Sequence, residues 1–264
     1  MTTDPTWEVR NPPADAATVR RVRALAERIA KEYAARGATA VLLSGSWARG
    51  NARRNSDVDL WVLGRRTSRK TTLRRGFLVS VRKSTAASEL RDMRKPGHAG
   101  QVVLAWREAI PLFDRNGVAA RLLRHAWAFR WSTIAHAADR FVASQLVEWS
   151  EEAIKLTRLM ADGARETAGV QRNHLANSMA ELMAVQLRLL YRETSLWEEV
   201  GARMDPGWHE AQRTALTVAG PSFGVSCEAA LELYRLTARS AQRCFTAPER
   251  TLIAHTCRAI GHRL

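Results

Sequence analysis

The sequence predicts an α+β domain with one mixed sheet and flanking helices, followed by an all-α helical bundle. Two observations carry this. Short apolar runs of strand length fall in the first half of the chain, at Thr39–Ser44, at the run opened by Ser56-Asp57-Val58-Asp59-Leu60 and ending at Leu63, at Phe77–Val81 and at Glu108–Phe113, interleaved with helical patterns. After about residue 130 no strand pattern recurs, and long stretches place apolar residues at three- and four-residue steps. The expected organisation is a first domain over residues 1–128 and a helical domain over residues 129–264.

The elements follow in order. Residues 1–13 are polar and Pro-rich and are expected to be loosely held. Ala16–Arg36 is a helix with Val19, Val22, Ala26, Ile29 and Tyr33 on one face, ended by Gly37. The first two strands enclose a Gly45-Ser46 turn, with Ser46–Gly50 a short polar turn or helix start. Phe77–Val81 is the third strand, and Ala86–Arg94 a helix ended by Pro96-Gly97. Glu108–Phe113 is a short strand with Asp114–Gly117 as its turn, and Val118–Ala128 a helix leading away. In the second half, helices are expected over Thr133–Ala161, Gly169–Thr194, Asp205–Val218, Cys227–Cys244 and Pro248–Ile260, with a break at Gly220-Pro221.

Length and composition bound the function. The 264 residues are 46% hydrophobic, enough for real cores. No apolar run approaches the roughly 18 residues of a membrane span, and Met-Thr-Thr-Asp-Pro is not a secretory start. Three cysteines, all late in the chain, suggest neither a disulfide framework nor a zinc site. A soluble, cytoplasmic protein with no membrane partner is expected. The net charge of +15 is uneven: residues 1–128 hold 25 Lys/Arg against 11 Asp/Glu, while residues 129–264 hold 16 against 15. A preference for arginine is one reading, since five of the 41 basic residues are lysine. A positive field that attracts a nucleoside triphosphate or a nucleic acid is the other. The acid-free stretch Arg65–Arg75 is read as a solvated hairpin tip between two strands.

The chemistry concentrates between Val41 and Gly64. Asp57 and Asp59 are two apart at the start of a strand, so they project to one face. Two adjacent carboxylates repel unless a cation sits between them, and a hard ion such as Mg²⁺ with phosphate oxygens in its shell suits them. Gly45 and Ser46 offer close approach, a hydroxyl and backbone N–H groups to a phosphate. Arg49 adds a bidentate phosphate partner. On the second long helix pattern, Glu148, Glu151, Glu152 and Lys155 share a polar face, which by itself is an ordinary solvated surface.

Gly-Ser-x-x-Arg-Gly followed by Ser-Asp-x-Asp-Leu resembles the motif of the polymerase-β-type nucleotidyltransferases. Over nearly its full length the chain is similar to the kanamycin nucleotidyltransferase family, through Val79-Ser80-Val81, Ile110–Asp114 and the Glu151-x-x-x-Lys155 spacing. The resemblance implies a nucleotidyltransferase-type sheet whose active site is completed by the helical domain. It implies Mg²⁺ held by Asp57 and Asp59, outer phosphates on Gly45, Ser46 and Arg49, Lys155 on the triphosphate, and Glu151 as the base. The implied reaction moves a nucleoside monophosphate from ATP or another NTP to a hydroxyl of a small molecule, such as an aminoglycoside-like antibiotic, and a homodimer stays open. Ser80 departs from the pattern, standing where the family has a third acidic ligand. Action on RNA or a protein side chain, or a non-catalytic nucleotide or partner binder, remain the alternatives.

Overall fold

The computed structural model describes residues 11–65, 67–217 and 222–261. The chain divides into two compact units, Met1–Arg94 with Val102–Phe129, and Lys95–Gln101 with Arg130–Leu264.

The first unit is built on α1 (Ala16–Ala35), which the Asp15 side chain caps by accepting from the Thr18 N–H. Its buried face, Val22, Leu25, Ala26, Ile29 and Ala30, keeps the three- and four-residue spacing of the sequence. Then come β1 (Ala40–Ser44), α2 (Gly45–Arg49), β2 (Val58–Leu63), β3 (Ser68–Arg74), β4 (Phe77–Ser84), α3 (Ala86–Asp92), α4 (Pro96–Glu108), β5 (Ile110–Asp114) and α5 (Val118–Ala128). The five strands lie in the order β3-β4-β2-β1-β5. β2 and β4 are parallel and every other pair is antiparallel, so the sheet is mixed. One face presents Val41, Leu43, Val58, Leu60, Val62, Val79 and Val81 to α1. Strand alternation turns Asp59, Trp61 and Leu63 to the other face.

Three expectations need correction here. Arg65–Arg75 is not merely a hairpin tip: residues 68–74 form the edge strand β3, paired along its length with β4. Apart from Ser68 and Leu73 its side chains are Arg, Lys and Thr, a composition that keeps an exposed edge from pairing with other chains, so no apolar alternation announced it. Pro96-Gly97 does not end a helical region but opens α4, because proline is well placed in a first helical turn. Residues 11–14 are tied down rather than loose. Ala14 N–H donates to the Ala52 carbonyl, Arg54 N–H to that of Pro12, and the Arg53 guanidinium to that of Asn11. Residues 1–10 lie outside the described part.

The second unit contains α6 (Ala135–Ala161), α7 (Arg165–Gln186), α8 (Leu196–Gly201), α9 (Pro206–Ala215), α10 (Phe223–Ser240) and α11 (Ala247–Ala259). Leu146, Leu156, Leu175, Met179, Leu231 and Ile253 meet in its core. Two polar pairs are buried in it: Tyr234 and Ser150 hydroxyls lie 2.8 Å apart, and Trp208 Nε1 donates to Thr237 Oγ1 at 2.8 Å. α7 stops eight residues before the expected Thr194, where Arg188 takes a left-handed φ of 57°. The short α8 had no periodic signal of its own. Asp205 caps α9 with Pro206 in its first turn, while Gly220-Pro221 falls outside the described residues.

The β3–β4 hairpin turns on Arg75 and Gly76, both at positive φ, 51° and 82°. That is the two-residue geometry matching the twist of the strands, and arginine is strained in it. Arg75→Asn should therefore stabilise the first unit by about 0.5–1 kcal/mol and Gly76→Val should destabilise it by more than that, read by urea unfolding.

Candidate active site

The site begins where β1 runs into α2. Gly45 has φ +69°, and a Cβ there would stand 2.5 Å from Asp59 Oδ2. The glycine is thus required twice, by its backbone conformation and by the carboxylate packed on it. In the sheet Asp59 lies between Ser44 of β1 and Ser80 of β4. Asp57 precedes β2 by one residue and sits two positions before Asp59. The loop before it is held from both sides. Trp47 Nε1 donates to the Ser56 carbonyl at 3.3 Å, and Arg53 N–H donates to Ser56 Oγ at 3.0 Å.

Burial and the neighbouring Asp57 push the Asp59 carboxyl up to about 6, against the opposing pull of Arg69 and Arg49. The chain has built a carboxylate pair whose charge it does not fully compensate, which is the condition a divalent ion would relieve. Ser80 fills the third position as a neutral, buried hydroxyl. Among the described residues no three His, Cys, Asp or Glu side chains gather into a metal-binding group. The acidic donors the site offers to an ion are Asp57 and Asp59, with the neutral Ser80 beside Asp59 in the sheet.

Arg49 reaches Glu108 at the end of α4, with 3.4 Å between Arg49 Nη1 and Glu108 Oε2. Its charge is shared between that carboxylate and the Asp59 side, so it is less free for a phosphate than its sequence position suggested. Ser46 follows Gly45 in α2 and is half-buried. Glu151 and Lys155 belong to the second unit, on the exposed face of α6. Lys155 Nζ pairs with Glu152 Oε2 at 3.4 Å. Gly45, Asp57, Asp59 and Arg49 are brought together within the first unit.

A second cluster on the Asp59 face was not anticipated. The Arg82 guanidinium stacks 4.5 Å from the Trp61 ring and donates to Glu89 Oε2 at 2.9 Å. Trp106 Nε1 donates to the same oxygen at 2.7 Å, and the Trp61 and Trp106 rings lie 5.4 Å apart. Glu89 is fully buried on α3. The one sequence signal was Trp61, a large aromatic on the same strand face as the aspartates. A separate apolar groove of about 570 Å³ lies between α1 and β5, lined by Val19, Val22, Leu43, Trp47, Pro111 and Phe113.

Residues 22–94 match the nucleotidyltransferase domain. The matched segment runs from α1 to the end of α3 and contains Gly45, Ser46, Arg49, Asp57 and Asp59. Glu151 and Lys155 lie beyond this nucleotidyltransferase-domain segment. The structure is similar to that of a nucleotidyltransferase-like protein from Exiguobacterium sibiricum 255-15, with a TM-score of 0.55 and 18% identity over 89% of this chain and 79% of that one. At this identity the likeness is one of fold. No curated protein matches the chain. Among the described residues, no helix is long and apolar enough to cross a membrane.

Two outcomes follow from this geometry. Gly45→Ala should cost about 1–3 kcal/mol in unfolding free energy, because a strained φ and a displaced Asp59 come together. For Asp59, a folded pKa of about 6 against an ordinary 3.8 means the folded state holds the proton more tightly. Stability is then lost as pH rises through that window, by at most about 3 kcal/mol. Asp59→Asn should raise the melting temperature measured in EDTA at about pH 8 and change it little at about pH 3. Adding Mg²⁺ should stabilise the parent protein and not the variant.

Proposed function

We propose that the protein is a nucleotidyltransferase that moves a nucleoside monophosphate, with ATP the expected donor, to a hydroxyl of a small molecule and releases pyrophosphate. The observation that carries this is Asp59 packed against the positive-φ Gly45, with Asp57 two residues before it, inside the segment that matches the nucleotidyltransferase domain. Asp57 and Asp59 would hold a Mg²⁺ ion, which when bound supplies charge neutralisation for the triphosphate. Gly45 and Ser46 would take outer phosphate oxygens, with Arg49 sharing its charge with Glu108.

In the reaction the acceptor oxygen bonds the α-phosphorus, and the bond from that phosphorus to the oxygen bridging to the β-phosphate breaks. The acceptor proton passes to Glu151, and the electron pair leaves on pyrophosphate. Lys155 would neutralise charge on the departing phosphates, exchanging its present partner Glu152 for them. Ser80 leaves Glu151 to carry the deprotonation without a second metal-activated oxygen. The family resemblance points to an aminoglycoside-like acceptor and to a homodimer. In this chain, Glu148, Glu151 and Glu152 on α6 are the acidic groups that would meet such a cation.

The test is product mass and pyrophosphate release after incubation with each NTP, Mg²⁺ and a panel of hydroxyl compounds. Asp57→Asn should lower turnover by orders of magnitude. Glu151→Gln should leave ATP affinity near normal and reduce transfer by about 10²–10⁴-fold. Glu148→Gln is the control on the same helix, expected to transfer normally. Loss of transfer in that control alone would move the base by one helical turn. Normal transfer in both variants would remove α6 from the chemistry.

A further inference from the structure

On the nucleotidyl-transfer reading, we propose that the acceptor carries a phosphate group, bound by the cross-strand pair Arg69 and Arg82 on the sheet face that holds Asp59. Arg69 of β3 stands directly opposite Arg82 of β4. Like charges in that relation destabilise a sheet, and an anion between them reverses the sign. The pair is not an accident of a flexible surface on both sides. Arg82 is clamped by the Trp61 ring and by Glu89, which Trp106 holds in turn. Glu89 is too buried to turn outward, so it fixes Arg82 without covering it. Arg69 is exposed and makes no close ion pair among the described residues, while its charge acts at longer range on Asp59.

Position separates this pair from the triphosphate loop. Asp59 has Ser44 of β1 on one side and Ser80 of β4 on the other. Gly45, Ser46 and Arg49 continue from the β1 side, while Arg82 and then Arg69 lie on the β4 and β3 side. Phosphates of the donor and a phosphate of the acceptor would thus flank the carboxylates from opposite directions. The β3–β4 face is open to receive a ligand: Leu73 and Leu78, paired across the strands on this face, are 74% and 51% exposed. Arg69 and Arg82 would hold the acceptor through its phosphate and take no part in bond making. The same two guanidinium groups would repel a polycationic acceptor from this side.

Calorimetry on the full chain tests this with ribose, ribose 5-phosphate, an RNA oligonucleotide ending in a free 3′-hydroxyl, and kanamycin. The expected result is binding of ribose 5-phosphate or the oligonucleotide but not ribose, weakened by salt. Binding of the sugar phosphate assigns a small phosphorylated acceptor, and binding of the oligonucleotide alone assigns a nucleic acid end. Arg69→Gln, at an exposed position, should weaken that binding about tenfold and lower ATP affinity by clearly less than that, since its charge also acts on Asp59. Equal binding of ribose and ribose 5-phosphate, binding of neither phosphorylated probe, tighter binding of kanamycin, or an equal loss of ATP affinity in Arg69→Gln would each overturn the proposal. Pyrophosphate release is read separately, so a chain that transfers nothing yet binds the phosphorylated probe through Arg69 would overturn the transfer reading and not the anion site.

Discussion

The first unit depends on one close contact, the carboxylate of Asp59 against the backbone of Gly45. It joins the end of β1 to the start of β2 and places a charge where burial opposes it. Everything around it accommodates that contact. Gly45 takes a left-handed φ, Trp47 anchors the following loop through Ser56, and residues 11–14 hold the loop from outside. A half-buried carboxylate next to a second one is a cost that does not serve the domain's own stability. A bound cation would relieve it, which ties the need for glycine at position 45 to the proposed chemistry.

The same sheet face shows how charge is divided across the site. Two carboxylates sit at its centre, Arg49 comes from the β1 side and the Arg69–Arg82 pair from the β3–β4 side. Two of the three arginines are held by acids, Arg49 by Glu108 and Arg82 by Glu89. Such pairs contribute little net stability once desolvation is counted, but they fix where a guanidinium can point. The neutral Ser80 and the fixed Arg82 beyond it act in the same direction. Both make this half of the face more positive, which is the charge the proposed phosphate site needs.

The opposite face is simpler. Val58, Leu60, Val62, Val79 and Val81 meet α1 in an apolar core. The second unit has its own core around α6, α7 and α10, which is why its helices read clearly from apolar spacing alone.

What the sequence by itself determined is whatever rests on local spacing. The alternation in Val58–Leu63 set Asp59 apart from Leu60, the three- and four-residue steps drew α1, α5 and α6, and Gly-Ser with Ser-Asp-x-Asp marked the site. Edge strand β3 escaped notice because an edge needs no buried side chains, and α4 because its proline reads as a stop as easily as a start. Tertiary structure alone decided the long-range relations. Arg82 meets Glu89 from another element, Arg49 meets Glu108 after 59 residues, and Arg69 faces Arg82 only through strand register. No local pattern encodes a register, because it is set by the whole sheet closing on its core, and the charges of this site take their meaning from it.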